Sequence, residues 1–258
     1  MIYTKKQIKQ YLDRIQYGGS IALNEQTLRG LKIAHLIHIP YENLDILNGI
    51  PLSLEPEGLF HKMITKKRGG YCFELNGLYS NLLESLGFRV TNYVGRFIVG
   101  HTSIQMRRHR VLKVEAKDGI FICDVGVRRE ATRVPLRFIE GEVQSDGISE
   151  YKLDRDDFFG WILWQRESGK DWKQIYGFTE EPQLDIDFVM PSFFCEQHPA
   201  SEHNVFRKIS IFTENSQIGL VDDELQVYQN ARVDQSKKLQ SAEEISEALS
   251  TIFGIENI

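Results

Sequence analysis

The chain has 258 residues, 41% of them hydrophobic and 26% charged, with a formal net charge of −5. That length buries a substantial core, and the acidic balance argues against a nucleic-acid binder, which would present a basic face or stripe. No apolar run approaches the roughly 18 residues of a membrane-spanning helix, and the N-terminus lacks the apolar stretch and cleavage site of a signal peptide, so a cytoplasmic protein is expected.

The first predicted element is a helix in which Ile8, Tyr11, Leu12 and Ile15 share a face and which Gly18-Gly19 ends. Asn24 caps a second helix, with Leu28, Leu31, Ile33 and His35 recurring before Pro40 stops it. A loop from Asn48 to Gly58 follows. A third helix opens after Arg68-Gly69-Gly70, with a buried stripe of Leu75, Leu78, Tyr79, Leu82, Leu83 and Leu86, and Gly87 closes it. The texture then changes. Val90 to Val99 and Val111 to Val127 are rich in β-branched and aromatic residues, with Lys117-Asp118-Gly119 as a hairpin signal. Short segments of this kind continue from Pro135 to Trp164. Beyond about Phe193 the pattern is mixed: Ile209–Thr213 and Glu224–Tyr228 read as strands, and Ser241-Ala242-Glu243-Glu244 opens a last helix. Helices, then strands, then a small α/β tail predict an α+β fold with segregated layers.

The segment Arg68-Gly69-Gly70-Tyr71-Cys72-Phe73-Glu74-Leu75-Asn76 carries the strongest chemical signal. Two glycines permit close approach of the backbone, and Cys72 sits at a helix mouth, where free N–H groups and the helix dipole favour a thiolate. The other two cysteines, Cys123 and Cys195, read as small buried hydrophobes; three widely spaced cysteines make neither a disulfide framework nor a zinc pattern. A nucleophile needs a base and an orienting group. His109 opens a strand, and Asp124 lies in the apolar run that returns from the hairpin, where a carboxylate is costly unless paired. If Glu115 faces Ile120, His109 and Asp124 are diagonal neighbours on one face, roughly 7–8 Å apart at the backbone. A two-residue turn at Asp118-Gly119 also puts both on one face, but four residues further apart; a one-residue slip separates them. Among the other histidines, His35 and His38 read as structural, His61 and His101 as loop residues, and His198 as a surface residue that could line a cleft.

These motifs together resemble the arylamine N-acetyltransferases of the bacterial, acetyl-CoA-dependent type. Arg68 to Asn76 is similar to that family's active-site signature, Ile39-Pro40-Tyr41-Glu42-Asn43-Leu44-Asp45 to its N-terminal motif, and His109 followed by Asp124-Val125-Gly126 to the remainder of its Cys-His-Asp triad. Ile252-Phe253-Gly254-Ile255 resembles its end. The resemblance implies three domains on a core like that of cysteine proteases and transglutaminases: a helical bundle over 1–87, a β-barrel over 88–192 and an α/β lid over 193–258. It implies catalytic Cys72, His109 and Asp124, acetyl-CoA as co-substrate, no metal, a small aromatic amine or hydrazine as acceptor, and a monomer or weak homodimer acting in xenobiotic metabolism. Tyr41, Tyr71, Gln105, Met106, Val127, Arg128, Arg129 and His198 are the candidate contacts to CoA or acceptor. One departure stands out. Val127-Arg128 replaces the family's Phe-Gly, which removes an aromatic platform for the acceptor and adds bulk where CoA would pass. Arg128 and Arg129 either bind CoA phosphates through forked hydrogen bonds or belong to a solvated loop.

Overall fold

The computed structural model describes residues 2–130, 132–167, 169–229 and 232–256. Helix α1 (Lys5–Arg14) starts where the Thr4 side chain accepts the Gln7 N–H and the Gln7 carboxamide accepts the Thr4 N–H. This reciprocal pair satisfies two N–H groups that the first turn leaves open. Helix α2 (Glu25–His38) starts at Asn24, whose Oδ1 accepts the Thr27 N–H at 3.0 Å. It stops where Pro40 holds Ile39 in extended backbone.

The stretch read as a loop from Asn48 to Gly58 is shorter than expected. Helix α3 (Leu44–Leu47) precedes it, and helix α4 (Pro56–Phe60) begins within it and runs into a π-helical turn, His61–Thr65. Pro56 opens α4 because its fixed φ and missing N–H suit a first helical turn; the residue that reads as a loop marker is a helix starter.

Helix α5 (Cys72–Leu86) is the central element. Leu75, Leu78, Leu82 and Leu83 are at most 1% exposed. Gly87, at φ 98°, ends it in the left-handed conformation. It packs against α4 on one side and against strands β1 (Arg89–Phe97) and β2 (His109–Ala116) on the other.

Those strands belong to an eight-stranded antiparallel sheet with β3 (Gly119–Ile122), β4 (Leu136–Arg137), β5 (Gln144–Ser145), β6 (Glu150–Asp156), β7 (Gly160–Arg166) and β8 (Lys173–Phe178), in the order β4-β3-β2-β1-β8-β7-β6-β5. The two edges approach each other. The Gln144 carboxamide accepts the Arg137 N–H at 2.6 Å and donates to the Arg137 carbonyl at 3.0 Å, so a side chain nearly closes the sheet into a barrel. The connections 98–108 and 123–135 both leave the sheet at the end where β2 begins.

After the barrel, a 3₁₀ turn (Asp185–Phe188) leads into helix α6 (Val189–Gln197), which the sequence pattern does not announce. Pro191 sits in its first turn, where no hydrogen bond is lost. Strands β9 (Lys208–Phe212), β10 (Gln217–Val221), β11 (Glu224–Gln229) and β12 (Arg232–Lys238) form an antiparallel meander, and helix α7 (Ala242–Thr251) follows. A second core gathers Ile209, Leu220, Leu249, Phe253 and Ile255 around Leu44 of α3.

A short strip joins this meander to the chain before α5. Tyr41 exchanges both backbone hydrogen bonds with Ser210 of β9, at 2.8 and 2.9 Å. On the other side, the Glu42 N–H donates to the Gly70 carbonyl at 2.9 Å and the Gly70 N–H to the Pro40 carbonyl at 3.3 Å. Among the described residues, no helix is long and apolar enough to cross a membrane.

Candidate active site

The chain approaches α5 through a tight passage. A methyl group at Gly69 would sit 2.1 Å from the Pro40 carbonyl oxygen, so only glycine fits. Arg68 turns inward beside it. Its guanidinium donates to Glu42 Oε1 from Nε (3.1 Å) and Nη2 (2.8 Å), and from Nη2 to Asp45 Oδ1 (2.9 Å). Lys62, in the π-helical turn, lies 2.8 Å from both Asp45 and Glu74. The Glu74 carboxylate in turn accepts the Tyr71 N–H at 3.1 Å. Burial pushes the Glu74 carboxyl up to about 7, although Lys62 pulls against it. The motif Ile39–Asp45 and the motif Arg68–Asn76 therefore meet in one buried ion cluster that braces the start of α5.

The β2–β3 ladder pairs Glu115 with Ile120 and Ala116 with Gly119, so the turn is Lys117-Asp118. This is the first of the two registers considered above. It runs on through the Cys123 N–H, which donates to the Leu112 carbonyl at 2.9 Å. His109 and Asp124 fall on one face, and His109 Nε2 lies 2.6 Å from Asp124 Oδ2. The other carboxylate oxygen accepts from Asn76 Nδ2 and from the Gly126 N–H, each at 2.8 Å. Asn76 stands one helical turn after Cys72, on the same face. It also donates to the Arg110 carbonyl (2.7 Å) and accepts the Val125 N–H (2.9 Å). Burial pushes the Asp124 carboxyl up, but His109, Asn76 and the Gly126 N–H outweigh it and hold the group below the usual carboxylate range. The His109 ring packs between Phe97 and Tyr176, at centroid distances of 4.7 and 5.1 Å. Its Nδ1 is buried and has no hydrogen-bond partner among the described residues.

Cys72 lies against the same group. Its Sγ is 3.7 Å from the carbonyl oxygen of Arg108, the residue before His109. A methyl at Gly126, two residues after Asp124, would stand 2.9 Å from both the Cα and the carbonyl oxygen of Cys72. The helix mouth, the start of β2 and the loop after β3 thus converge on the thiol.

The expectation that the helix mouth by itself favours a thiolate is corrected. Burial pushes the Cys72 thiol well up, and Cys195 and the Asp124 carboxylate add to this; the Phe73 N–H and Arg108 pull the other way and lose. Forming a thiolate at Cys72 needs a neutral base to take its proton, and the buried Nδ1 of His109 has no hydrogen-bond partner among the described residues. A His109→Gln variant should therefore react with iodoacetamide at Cys72 only at pH values above the ~8.5 midpoint of a free thiol, whereas the unmodified chain reacts near neutrality. Equal rate profiles for the two would show that the thiolate forms without His109.

Cys72 opens onto a cleft of about 310 Å³ whose wall includes Tyr41, Phe97, Arg108, Val127 and Arg128. Arg129 also lines it, paired with Glu130 at 3.0 Å. A larger cavity, about 680 Å³, opens beside Lys62, Arg68 and Glu74 and does not include Cys72. Four of the candidate contacts are not brought into the cleft wall. Tyr71 is fully buried under α6, with its hydroxyl 2.6 Å from Ser192 Oγ. Met106 points to solvent, 50% exposed. Gln105 holds Arg108 through Oε1 at 3.3 Å. His198 stacks on Phe194 and accepts the Ala200 N–H. Conversely, Asn76, Arg108 and His203 belong to the site and escape sequence reading. Only Asn76 carries a signal, the four-residue spacing from Cys72. Among the described residues no group of three or more His, Cys, Asp and Glu could hold a metal ion.

Comparison with known proteins gives the family and the fold. The N-acetyltransferase family model matches residues 25–257. The arylamine N-acetyltransferase of Mycolicibacterium smegmatis is 33% identical over 254 residues, covering 95% of this chain and 90% of that protein. The solved arylamine N-acetyltransferase of Salmonella typhimurium superposes with a TM-score of 0.92 at 28% identity, over 99% of this chain and 94% of that one. The Mycobacterium marinum enzyme, solved in complex with CoA, superposes with a TM-score of 0.89 at 30% identity, over 96% and 92% of the two chains.

Proposed function

Because the chain belongs to the N-acetyltransferase family, we propose that it moves an acetyl group from acetyl-CoA to the nitrogen of an arylamine, an arylhydrazine or a related small amine, in two half-reactions through acetyl-Cys72. The observation that carries this reading is the buried His109–Asp124 pair, with Nδ1 of His109 left without a partner and the carbonyl of the preceding residue, Arg108, 3.7 Å from Cys72 Sγ.

In the first half-reaction the Cys72 proton passes to His109, and the sulfur attacks the thioester carbon of acetyl-CoA. The thioester bond breaks, and the departing CoA sulfur takes the proton back from His109. In the second, the amine nitrogen attacks the acetyl carbon on Cys72 while His109 accepts the proton from that nitrogen. The sulfur leaves and is reprotonated by His109. Asp124 works in both by holding the ring orientation and stabilising the imidazolium. Asn76 and the Gly126 N–H hold the far oxygen of Asp124, so the carboxylate cannot turn away from His109. In this reading α1–α5 carry the nucleophile, the barrel carries the base and its partner, and the C-terminal meander covers the cleft as a lid. That is the division 1–87, 88–192 and 193–258 on a cysteine-protease-like core. Arg128 and Arg129 stand at the cleft to meet CoA phosphates; Arg128 is anchored from the lid side, its carbonyl accepting from Ser210 Oγ and from the Gln217 carboxamide.

The test is to mix the protein with acetyl-CoA and no amine. One equivalent of CoA should be released, and the peptide containing Cys72 should gain the mass of one acetyl group, which an added arylamine then removes as the N-acetyl product. Continuous release of CoA and acetate without amine would mark a thioester hydrolase instead. No acetylated Cys72 peptide with transfer intact would sink the covalent route.

A further inference from the structure

Helix α2 carries a lysine at a position where a hydrocarbon side chain would serve. Lys32 stands on the buried face of α2 with Leu28, Leu31, His35 and Leu36, and it is 0% exposed. Among the described residues its ammonium has no carboxylate within ion-pair distance. Nζ donates instead to Thr132 Oγ1 at 2.5 Å and to the Val134 carbonyl at 2.9 Å. The acids whose charge it feels, Asp124 and Asp146, are engaged elsewhere. Asp124 is held by His109, Asn76 and the Gly126 N–H. Asp146 accepts the N–H groups of Arg133, Ile148 and Ser149 and the Tyr151 hydroxyl. Burial pushes the Lys32 ammonium down to about 8; Cys123, Asp124 and Asp146 pull it back in part, and Arg29 adds to the fall.

A charge at that depth without a counter-charge costs stability, and methionine would fill the same space without that cost. Removing the ammonium strands no acceptor either. The Thr132 hydroxyl itself donates to the Val134 carbonyl at 2.7 Å, so both oxygens stay bonded. The needs of its own pocket therefore do not explain the lysine.

What Lys32 holds does explain it. Thr132 and Val134 lie on the returning limb of the 123–135 connection. The outgoing limb is fastened separately by Asn76, which accepts the Val125 N–H and donates to Asp124. Between the limbs, Val127, Arg128, Arg129 and Glu130 line the cleft at Cys72. Arg133, between the two residues that Lys32 holds, reaches out to the meander. Its guanidinium donates to the carbonyls of Thr213 (2.6 Å), Glu214 (3.0 Å) and Ser216 (2.7 Å). Ties from α2 and from the turn between β9 and β10 thus meet on three consecutive residues, 132–134.

We propose that Lys32 is a positioning residue for the cleft: its buried ammonium pins the returning limb, so that Val127–Glu130 stand as a wall to receive acetyl-CoA and Arg133 seats the meander. This deepens, and rests on, the acetyl-transfer reading above. Among the described residues Lys32 makes no hydrogen bond to Cys72, His109 or Asp124. Its loss therefore changes how acetyl-CoA is received and leaves the chemistry at sulfur in place.

The experiment follows CoA release without amine over a range of acetyl-CoA concentrations, in the unmodified protein, Lys32→Met, Thr132→Val and the double variant, with a thermal melt of each. Lys32→Met should raise the half-saturating acetyl-CoA concentration about tenfold, the lower end for losing hydrogen bonds from a charged donor, and keep the limiting rate within about twofold. Its Tm should equal or exceed that of the unmodified protein. Thr132→Val should raise the half-saturating concentration a few-fold, and the double variant by less than the product of the two single effects, because both act on one limb. Hydrogen exchange in the peptide containing Thr132 and Val134 should quicken in Lys32→Met relative to β1 and β2.

A lowered Tm with an unchanged half-saturating concentration is the signature of a packing residue and overturns the proposal. Unchanged hydrogen exchange at Thr132 and Val134 overturns it too. So does a limiting rate that falls more than the half-saturating concentration rises, because Lys32 would then act through the charge on Asp124. If Lys32→Met does not fold, Thr132→Val decides, and a normal half-saturating concentration in that variant overturns the proposal. Each of these results leaves the acetyl-transfer reading intact. An unmodified protein that forms no acetyl-Cys72 refutes that reading and this proposal with it.

Discussion

An Asp124→Asn variant is expected to fold normally and to lose on the order of 10³–10⁴ in kcat/KM. The size follows from how the carboxylate is used. Oδ2 takes the Nε2–H of His109 at 2.6 Å, which leaves Nδ1 free to receive the Cys72 proton. An asparagine can present its NH₂ to Nε2, forcing the proton onto Nδ1 and blocking the nitrogen that must act as base. It also removes the negative charge that supports an imidazolium in a dry site. The isosteric side chain still offers an oxygen to Asn76 and the Gly126 N–H, so the loop after β3 keeps its bonds. Steady-state kinetics with an arylamine, alongside a thermal melt, would check this. A loss below about tenfold would remove Asp124 from the mechanism. A loss confined to the amine step, with acetyl-Cys72 forming at the normal rate, would show that the pair is needed only for deacylation.

The largest expected effect on stability is at Arg68. Glu42 is fully buried and Asp45 nearly so, and Arg68 bonds both. Arg68→Met keeps the apolar stem and strips the cation, leaving Lys62 alone, 3.8 Å from Glu42, to serve three carboxylates. Breaking a buried ion network from one side costs about 3–5 kcal/mol. For a chain of this size that corresponds to a fall in Tm of roughly 6–20 °C. The double variant Glu42→Gln/Arg68→Met should recover part of the loss, because the uncompensated charge is then gone. The dependence on acid has a definite sign. Burial pushes Asp45 up, but Lys62 and Arg68 outweigh it and hold the carboxyl below its ordinary range. Its contribution is therefore full above the unfolded-chain value of ~3.9 and is lost as pH falls through the lower folded value. Melts between pH 3 and 7 should show the unmodified protein and Arg68→Met converging at the acid end. Parallel curves would place the stabilisation elsewhere.

The local elements were legible in the sequence because their causes are local. Asn24 and Pro40 bound α2, the leucine stripe and Gly87 define α5, and Lys117-Asp118-Gly119 marks the hairpin after β2, although the choice between its two registers came only from the ladder. What was illegible depends on partners far away along the chain. Pro56 looks like a loop residue until the turn after it is seen packing under α5. Helix α6 has no clear stripe of its own because Ser192 and Cys195 are its only fully buried side chains. Arg108 and His203 reach one cleft from opposite parts of the chain, and no local pattern announces their meeting. The balance of effects at the Cys72 thiol was illegible for a related reason. A helix mouth is visible in a sequence, whereas the depth at which it is buried is not, and burial dominates at Cys72.

The strip through Pro40, Tyr41 and Glu42 has a consequence for when the protein becomes competent during synthesis. Gly70, two residues before Cys72, is stitched to this strip on one side, and Ser210 of β9 is stitched to it on the other. A nascent chain that has emerged only through the barrel already holds Cys72, His109 and Asp124, yet one border of the strip that seats Gly70 is unpaired, and the cleft has no wall from Lys208 or His203. The seat of Gly70 and the wall of the cleft are therefore finished only once Lys208–Phe212 have paired with the strip.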